Sequence, residues 1–510
     1  MPNQSNQNLG NDPFVLDHEI ISGVRDVLVA VDFSTSGILR HMGVEESPPI
    51  IPQEMPRLFR LTQQCTPLDC FIRLFLMRQE MEMDAFRAAI APMSVESWRQ
   101  LGLIRADDNT VTAPLMIVPF KELLVAFDTS SLTASQEMTP NQVLGVGLAT
   151  RTLLNATIRK QVDAILDIGT GCGIQGLICA SHGGRIIGTD VNPRALNVAA
   201  FNAALNGINN MELREGSLFN PVKELQFDLI TMNPPFAISP DHQFYYRDGG
   251  MDGDNFVKHI LTEAPRCLKD GGFCQITAQW AHVRGEDWRV RLSRWFDANG
   301  CDVLVLKLKT QAAETYTTDW LWETETHSPE SYRRQWESWM HYLEARDIEA
   351  ISTGLITMRR RSTGKNWFLA HEDITSIDEY AGDAISLGFL LRDFLDKTDP
   401  LDLLHIPFRM AQDFRIELTS VPAENKLVTK GVVMHRSKGL HYAGNLDPHI
   451  INLIAQCDGN HPLQELIQKL AASKGIKTPI IQDSVLKIMR TLIERGFLLP
   501  PHLFSPSHAC

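Results

Sequence analysis

Apolar residues in the middle of the chain fall into seven short runs, most of them separated by stretches with helical spacing. Such runs are typical of buried strands, and parallel strands joined by helices form doubly wound α/β sheets. Residues 140–370 are therefore predicted to form a seven-stranded α/β sheet, with a helix at 330–346 inserted between the last two strands. The runs are AILDIGTG, RIIGTDV, MELREG, FDLITMN, GFCQITAQ, DVLVLKLK and ISTGLITMRRR.

The stretch before this alternation has a different pattern. Residues 1–56 are predicted to be a tail, a helix and a linker, because a Pro/Glu-rich piece interrupts the helical spacing. Residues 57–135 show three short helical periods and then a strand pair that turns at Asp107, Asp108 and Asn109. Three short helices followed by a hairpin outline a winged helix, and a plain helical cap on the next domain fits the pattern equally well.

The α/β domain is assigned to residues 136–370, and after it the spacing becomes helical again. Two stretches, at 445–475 and 482–501, repeat apolar residues at i, i+3 and i+4. Residues 371–510 are therefore predicted to be a mainly helical, winged-helix-like domain. Acidic and basic residues nearly balance after residue 446, which gives no strong electrostatic case for DNA binding.

The composition is that of an ordinary globular chain. Its 510 residues are 44% hydrophobic and 21% charged, and a net charge of -13 argues against a protein that coats nucleic acid through bulk charge. The nine cysteines form no CxxC pair or Cys/His cluster, which predicts no metal site and fits a reducing cytosol. No apolar run is long enough to span a membrane, so a cytoplasmic protein without a membrane partner is expected.

The run DIGTGCGIQG, from Asp167 to Gly176, follows the first predicted strand and opens a helix; we call it the glycine loop. Glycines let the backbone approach a ligand closely, and a helix start offers free N–H groups. Asp190 ends the next strand, where a carboxylate suits hydrogen bonds to ribose hydroxyls. A GxGxxG in the loop keeps NAD open as a cofactor. However, the Asp167 carboxylate would repel a pyrophosphate and attract an ammonium, which favours S-adenosylmethionine.

The run FDLITMNPPF, residues 227–236, ends a predicted core strand in Asn-Pro-Pro-Phe. Carboxyl ends of strands in such a sheet line the ligand crevice, and the prolines stiffen the loop there. The Asn233 side-chain oxygen and the Pro234 carbonyl oxygen then form two acceptors for one planar –NH2 group, with Phe236 as a stacking face. Orientation of the nitrogen toward a methyl sulfonium can lower a barrier by about 7–11 kcal/mol. Asn233, Pro234, Pro235 and Phe236, which we call the acceptor shelf, are therefore predicted to be catalytic.

Four segments together resemble the class I S-adenosylmethionine-dependent methyltransferases, in particular the branch of release-factor glutamine methyltransferases and adenine or guanine amino-methyltransferases. They are GTGCGIQG, GTDVNPRALNVAAFNAALNG, GSLFNPV, and NPPF followed by YRDGGMDGD, within residues 140–310. The family usually has an acidic residue where Ser217 stands, and its glutamine branch more often has tyrosine where Phe236 stands. The resemblance implies a Rossmann-like sheet and cofactor contacts at Asp167, Gly169, Thr170, Gly171, Gly173, Asp190, Val191, Ser217, Leu218 and Asn233.

The resemblance implies an enzyme that moves a methyl group from S-adenosylmethionine to the nitrogen of a planar amino or amide group. The flanking domains favour a macromolecular acceptor, which is either an RNA or DNA base or a glutamine of a translation-factor protein. Two alternatives stay open: a small-molecule methyltransferase, and a non-catalytic protein that only senses S-adenosylmethionine.

Two further features lie near these motifs. The glycine-rich run YYRDGGMDGD at 245–254 predicts a mobile lid in which Tyr245, Tyr246 or Arg247 touches the acceptor, and an ordinary surface loop fits the same residues. Thr150, ahead of the first strand, is predicted to cap a helix rather than to contact the cofactor.

Overall fold

The computed structural model describes residues 13–46, 48–128, 140–241, 247, 249–324, 328–423 and 426–503. The chain divides into two compact units. The division into four segments that the sequence suggests is finer than these units and stays a prediction. The first unit comprises Met1–Arg151, Gln161–Val305 and Lys309–Leu369, and the second comprises Thr152–Lys160, Leu306–Leu308 and Ala370–Cys510.

The largest sheet of the described residues has eight strands, in the spatial order β8-β6-β7-β5-β4-β1-β2-β3. Four neighbouring pairs are parallel: β5 with β4, β4 with β1, β1 with β2, and β2 with β3. The pair β5 and β7 is antiparallel. The order reverses between β1 and β4, which is the kind of switch point where open α/β sheets bind ligands. The strands are β1 (Val162–Ile168), β2 (Gly183–Asp190), β3 (Met211–Glu215), β4 (Phe227–Met232), β5 (Leu268–Val283), β6 (Cys301–Ala312), β7 (Ile348–Arg360) and β8 (Phe368–His371).

The predicted count of seven strands is wrong by one. Each of the seven predicted runs coincides with a strand, and β8 is added at the edge of the sheet beside β6. A four-residue edge strand is too short to show a periodic pattern, which is why the sequence did not reveal it.

Helices connect most of these strands. The helix predicted at 330–346 is present, and a second inserted helix precedes it, so the insertion between β6 and β7 is a helix pair. The helices are α1 (Leu148–Ala156), α2 (Ile174–Cys179), α3 (Pro193–Leu205), α4 (Asn255–Glu263), α5 (Trp288–Ser293), α6 (Ala313–Thr324) and α7 (Pro329–Glu344), with 3-10 turns at Asn220–Val222, Ala264–Cys267 and Arg294–Phe296.

The N-terminal part of the first unit is mostly helical. The turn predicted at 107–109 joins two short antiparallel strands, and the Asp107 carboxylate accepts hydrogen bonds from the backbone N–H groups of Asn109 and Thr110. Its winged-helix character stays a prediction. The helices are His18–Ala30, Thr35–Met42, Met55–Leu61, Pro67–Phe71, Met83–Ala89 and Val95–Gln100, with a π-helical turn at Ile72–Leu76. The strands are Met81–Glu82, Arg105–Ala106, Thr110–Thr112, Met116–Phe120 and Leu123–Phe127.

Asn202 on α3 and Asn206, the residue directly after this helix, hold the last of these strands. The Asn202 side chain exchanges two hydrogen bonds with the backbone of Ala126, at 2.7 and 2.9 Å, and Asn206 does the same with Leu124. The Asn202 amide also donates to the carbonyl oxygen of Cys172, at 2.8 Å, in the glycine loop. Asn202 therefore links the strand Leu123–Phe127 directly to the loop at the carboxyl edge of the sheet.

The second unit contains a four-stranded antiparallel sheet that the prediction of a mainly helical domain left out. The long hairpin of this sheet lacks the regular alternation of buried apolar and exposed polar residues that marks a strand. For example, the apolar side chain of Leu418 is 62% exposed, whereas that of Val432 is buried. In spatial order the sheet strands are Ile374–Ile377, Leu440–Asn445, Lys426–Arg436 and Phe414–Ala423. Two short strands, Arg409–Met410 and Leu498–Leu499, pair separately. The helices are Ala381–Lys397, Pro448–Ile454, Leu463–Ser473 and Thr478–Glu494, with 3-10 turns at Asp402–His405 and Pro501–Leu503.

Neither a membrane-spanning helix nor a metal-binding cluster is present among the described residues. No helix in them combines the length and the apolar character that crossing a bilayer requires. Across the same residues, no group of three or more His, Cys, Asp or Glu side chains is arranged to hold a metal ion.

Replacing Asn202 by alanine should destabilise the first unit. The substitution leaves buried backbone groups of Ala126 and Cys172 without partners, and each such group costs about 1–3 kcal/mol. We expect the free energy of unfolding, measured by urea denaturation, to fall by roughly 3–5 kcal/mol. Replacing the exposed Asn220 by alanine is the control and should change it by less than about 0.5 kcal/mol. Equal effects of the two substitutions would contradict the linking role of Asn202.

Candidate functional site

The predicted motif residues lie at or directly after the carboxyl ends of neighbouring strands in the large sheet. The register pairs Ile168, the last residue of β1, with Thr189 on one side and with Met232 on the other. Asp190 pairs with the last residue of β3, which places Ser217 two residues beyond the same edge. Because carboxyl ends of parallel strands at a switch point form the ligand crevice, the glycine loop, Asp190 and the acceptor shelf lie around one candidate site.

Three glycines give the glycine loop its shape. Gly169, Gly171 and Gly173 have φ angles of 64°, 56° and 86°, in the left-handed region that other residues rarely adopt. A Cβ on Gly173 would also lie 3.1 Å from the Cβ of Ala199 on α3. Beside Gly169, by contrast, a Cβ would meet no atom within 4 Å. The loop is therefore packed on its helix side and borders open space at Gly169.

The buried carboxylate of Asp167 fixes the position of the glycine loop through hydrogen bonds. Its Oδ2 accepts hydrogen bonds from Thr170 Oγ1 at 2.7 Å and from the Gly176 N–H at 3.2 Å. Its Oδ1 accepts one from Thr231 Oγ1 on β4, at 3.2 Å. Burial raises the pKa of Asp167 to about 7, although these hydrogen bonds act in the opposite direction. Because each carboxylate oxygen can accept two hydrogen bonds, Oδ1 retains capacity for one more donor.

Asp190 forms the second acidic position of the site. Its two carboxylate oxygens accept hydrogen bonds from the backbone N–H groups of Gly171 and Asn192, both at 2.9 Å. Burial raises the pKa of Asp190. The next side chain, Val191, is 47% exposed. The Asp190 carboxylate retains capacity for a further hydrogen bond, and Val191 offers an apolar surface beside it.

Two threonines orient the amide of Asn233. Thr277 Oγ1 on β5 donates to Asn233 Oδ1, and Asn233 Nδ2 donates to Thr150 Oγ1 on α1 at 3.3 Å. The rest of the shelf is rigid: Pro234 is buried, and Pro235 and Phe236 are half-buried. The oxygen and nitrogen of the Asn233 amide are therefore fixed in direction, with one acceptor position left on Oδ1.

The Pro234 carbonyl is the second acceptor predicted for the shelf. Within the described part of the chain, no donor forms a hydrogen bond with this carbonyl oxygen. Pro234 follows Asn233 directly in the chain, and a planar –NH2 group requires two acceptors, one for each N–H.

Sequence reasoning missed both threonines as partners of Asn233. Thr150, predicted to cap a helix, is the third residue of α1, where its carbonyl oxygen also accepts a hydrogen bond from Gln175 Nε2 at 3.3 Å. Thr277 could have been found from the register, because Ile276 pairs with the last residue of β4, so the next residue of β5 lies beside Asn233.

The remaining residues predicted for the site differ in how far they are exposed to solvent. Ser217 is exposed and Leu218 is half-buried with a φ of 49°. Tyr245 and Tyr246 of the predicted lid lie outside the described residues. Arg247 is only 2% exposed, and its guanidinium lies 3.3 Å from Asp241. This burial corrects the prediction that Arg247 touches the acceptor.

Three known families match parts of the chain. The methyltransferase small domain family matches residues 145–296, and two domains of unknown function match residues 30–114 and 388–500. A putative protein N5-glutamine methyltransferase of Methanocaldococcus jannaschii is 38% identical over 131 residues, 24% of this chain and 66% of that protein. Residues 145–296 are a class I S-adenosylmethionine-dependent methyltransferase domain. The cofactor of this domain is S-adenosylmethionine.

Other relatives match the methyltransferase domain in a similar way. A release factor glutamine methyltransferase of Geobacter sulfurreducens is 32% identical over 142 residues, 25% of this chain and 50% of that protein. A ribosomal protein uL3 glutamine methyltransferase of Bradyrhizobium diazoefficiens is 35% identical over 130 residues, 22% of this chain and 41% of that protein. The chain thus spans between 41% and 66% of the length of these three relatives. Among solved structures, YcgJ from Bacillus subtilis is 18% identical, with 41% of this chain and 97% of that chain covered and a TM-score of 0.28.

Replacing Thr277 by valine should slow methyl transfer by the methyltransferase domain without weakening cofactor binding. Valine keeps the shape but removes the hydroxyl that orients Asn233, and a small misplacement at a reacting centre can cost about 10- to 100-fold in rate. The measurement is the initial rate of label transfer from S-adenosylmethionine to a cell extract, together with cofactor affinity by calorimetry. Thr277→Ser retains the hydroxyl and should transfer at nearly the wild-type rate. A valine variant as fast as the serine variant would contradict the orienting role.

Proposed function

We propose that the protein transfers the methyl group of S-adenosylmethionine to the side-chain nitrogen of a glutamine in a translation-related protein. The observation that carries this proposal is the acceptor shelf, where Asn233 Oδ1 and the Pro234 carbonyl are two acceptors with capacity for one planar –NH2 group. A primary amide presents two N–H donors in one plane, so it matches the pair.

The side chains at the carboxyl edge fit the cofactor in charge and shape. Asp167 Oδ1 has capacity for one donor, which suits the ammonium of the methionine end, and Gly169 borders open space. The carboxylate of Asp190 can accept hydrogen bonds from ribose hydroxyls, and Val191 offers an apolar face to a purine ring. Thr170, Gly171, Gly173, Ser217 and Leu218 complete the proposed cofactor contacts.

The shelf would act by orientation and by charge. S-adenosylmethionine supplies an electrophilic methyl group when bound. Asn233 and Pro234 accept the two N–H bonds, which directs the nitrogen lone pair out of the amide plane toward that methyl, while Phe236 stacks on the amide. The nitrogen gains a bond to the methyl carbon as the carbon–sulfur bond breaks. The two acceptors stabilise the positive charge that develops on nitrogen until one proton leaves to solvent and S-adenosylhomocysteine is released.

A protein acceptor is favoured by two further facts. The relatives that match the domain carry names that specify glutamine in release factors and in ribosomal protein uL3. The net charge of -13 is unfavourable for binding a polyanionic backbone.

Labelling of a cell extract with methyl-labelled S-adenosylmethionine tests the proposal. The wild-type protein should label a protein band, and acid hydrolysis of that band should release methylamine from N5-methylglutamine. Asn233→Ala should abolish labelling while cofactor affinity stays within about threefold, because Asn233 faces the acceptor. Label in RNA would instead support a nucleic-acid acceptor, and label in neither fraction would support a small acceptor or a sensing role.

Cofactor affinity should fall as the pH is lowered through 7. The ammonium of the cofactor pairs with ionised Asp167, whose pKa burial raises to about 7 in the free protein, so protonation below that pH removes the attraction. Calorimetry between pH 5.5 and pH 7.5 should show up to about a tenfold loss per pH unit below 7. Methylthioadenosine, which lacks the ammonium, is the control ligand and should show a weaker dependence. Parallel pH profiles for the two ligands would contradict the role of Asp167.

A further inference from the structure

The helix pair α6 and α7 contacts the segment that follows the acceptor shelf. The pair lies between β6 and β7, outside the residues 145–296 that match the methyltransferase family. Ile238, two residues after the shelf, shares one apolar cluster with Tyr316 of α6 and with Trp339 of α7. The helix pair is therefore part of the packing that supports the shelf.

The hydroxyl of Tyr316 makes the most specific of these contacts. It accepts a hydrogen bond from the Ile238 N–H at 2.8 Å and donates one to Gln279 Oε1 on β5 at 2.7 Å. Gln279 is itself fixed, because its Nε2 donates to Thr353 Oγ1 on β7 at 3.1 Å. Burial raises the pKa of Tyr316, so the hydroxyl keeps its proton and remains a donor. Tyr316 thus joins the segment after the shelf to the strand that carries Thr277.

A second contact holds the same segment a few residues further on. Trp339 Nε1 donates to Asp241 Oδ2 at 2.8 Å, and the guanidinium of Arg247 lies over the Trp339 ring at 5.7 Å. The carbonyl oxygen of Arg247 in turn accepts the Ala237 N–H at 3.1 Å. Both backbone N–H groups directly after Phe236 are consequently held by buried partners.

Fixing Ile238 constrains the shelf itself. Two prolines restrict the backbone between Asn233 and Phe236, so the segment has few ways to move once both ends are held. We propose that Tyr316 is a positioning residue, which keeps the Pro234 carbonyl and the Phe236 ring in the orientation that the acceptor amide requires. The proposal rests on the proposed function of the shelf, and Tyr316 itself touches neither acceptor nor cofactor.

Tyr316→Phe tests the proposal with a readout that needs no substrate. The variant removes one hydroxyl and leaves the Ile238 N–H and Gln279 Oε1 without their partner. Hydrogen exchange of the peptide 236–241, followed by mass spectrometry on the full chain, should become about 10-fold faster or more. Label transfer to a cell extract should fall by about 10- to 100-fold, with cofactor affinity within about twofold.

Tyr332→Phe is the matched control. Tyr332 lies on α7 at the rim of the same cluster, and its hydroxyl forms no hydrogen bond among the residues that the structure describes. This variant should leave exchange, label transfer and cofactor affinity unchanged. If Tyr316→Phe does not fold, Gln279→Met, which removes the acceptor of the Tyr316 hydroxyl together with the donor to Thr353, should also produce faster exchange.

The possible results separate the two proposals. Unchanged exchange in Tyr316→Phe, or an equal change in Tyr332→Phe, would overturn the positioning role, as would equal losses of cofactor affinity and label transfer. A wild-type protein that binds S-adenosylmethionine but labels nothing would overturn the proposed function alone, and faster exchange in Tyr316→Phe would still establish how Tyr316 holds the segment.

Discussion

The buried carboxylate of Asp167 is the contact on which the candidate site depends. It accepts hydrogen bonds from Thr170 and Gly176 of the glycine loop and from Thr231 of β4, so two separate segments are tied to one side chain. A carboxylate that is desolvated in this way is costly unless its lone pairs are satisfied. The three donors satisfy part of that demand, and they also position the loop relative to the strand that carries the acceptor shelf.

Apart from the contact of Asp167 with Thr231, which spans 64 residues, the contacts of Asp167 and Asp190 on the cofactor side are shorter in sequence range than those on the acceptor side. On the cofactor side, Asp167 and Thr170 are only three residues apart, and Asp190 reaches back 19 residues to Gly171. On the acceptor side, Thr277 reaches Asn233 across 44 residues and Tyr316 reaches Ile238 across 78 residues. Substitutions in the inserted helices can therefore alter the acceptor side while the contacts of the glycine loop stay intact.

This difference in range also explains what could be predicted from the sequence. The glycine loop, Asp190 and the acceptor shelf are short motifs at the ends of three of the seven apolar runs, so the pattern located them. Thr277 and Tyr316 have no local signature. Their roles follow from strand register and from packing between distant segments, which a single sequence does not display.

The errors of prediction have related physical causes. Strand β8 is too short for a periodic signal, and the hairpin of the second unit exposes Leu418, so its alternation is weak. Arg247 lies in a glycine-rich run that suggests mobility, yet its guanidinium is buried against Asp241 and Trp339. A charged side chain is buried only when partners from elsewhere in the chain compensate it. Those partners are an acidic residue six positions earlier and a tryptophan of the inserted helix pair, so the insertion contributes to the burial of Arg247.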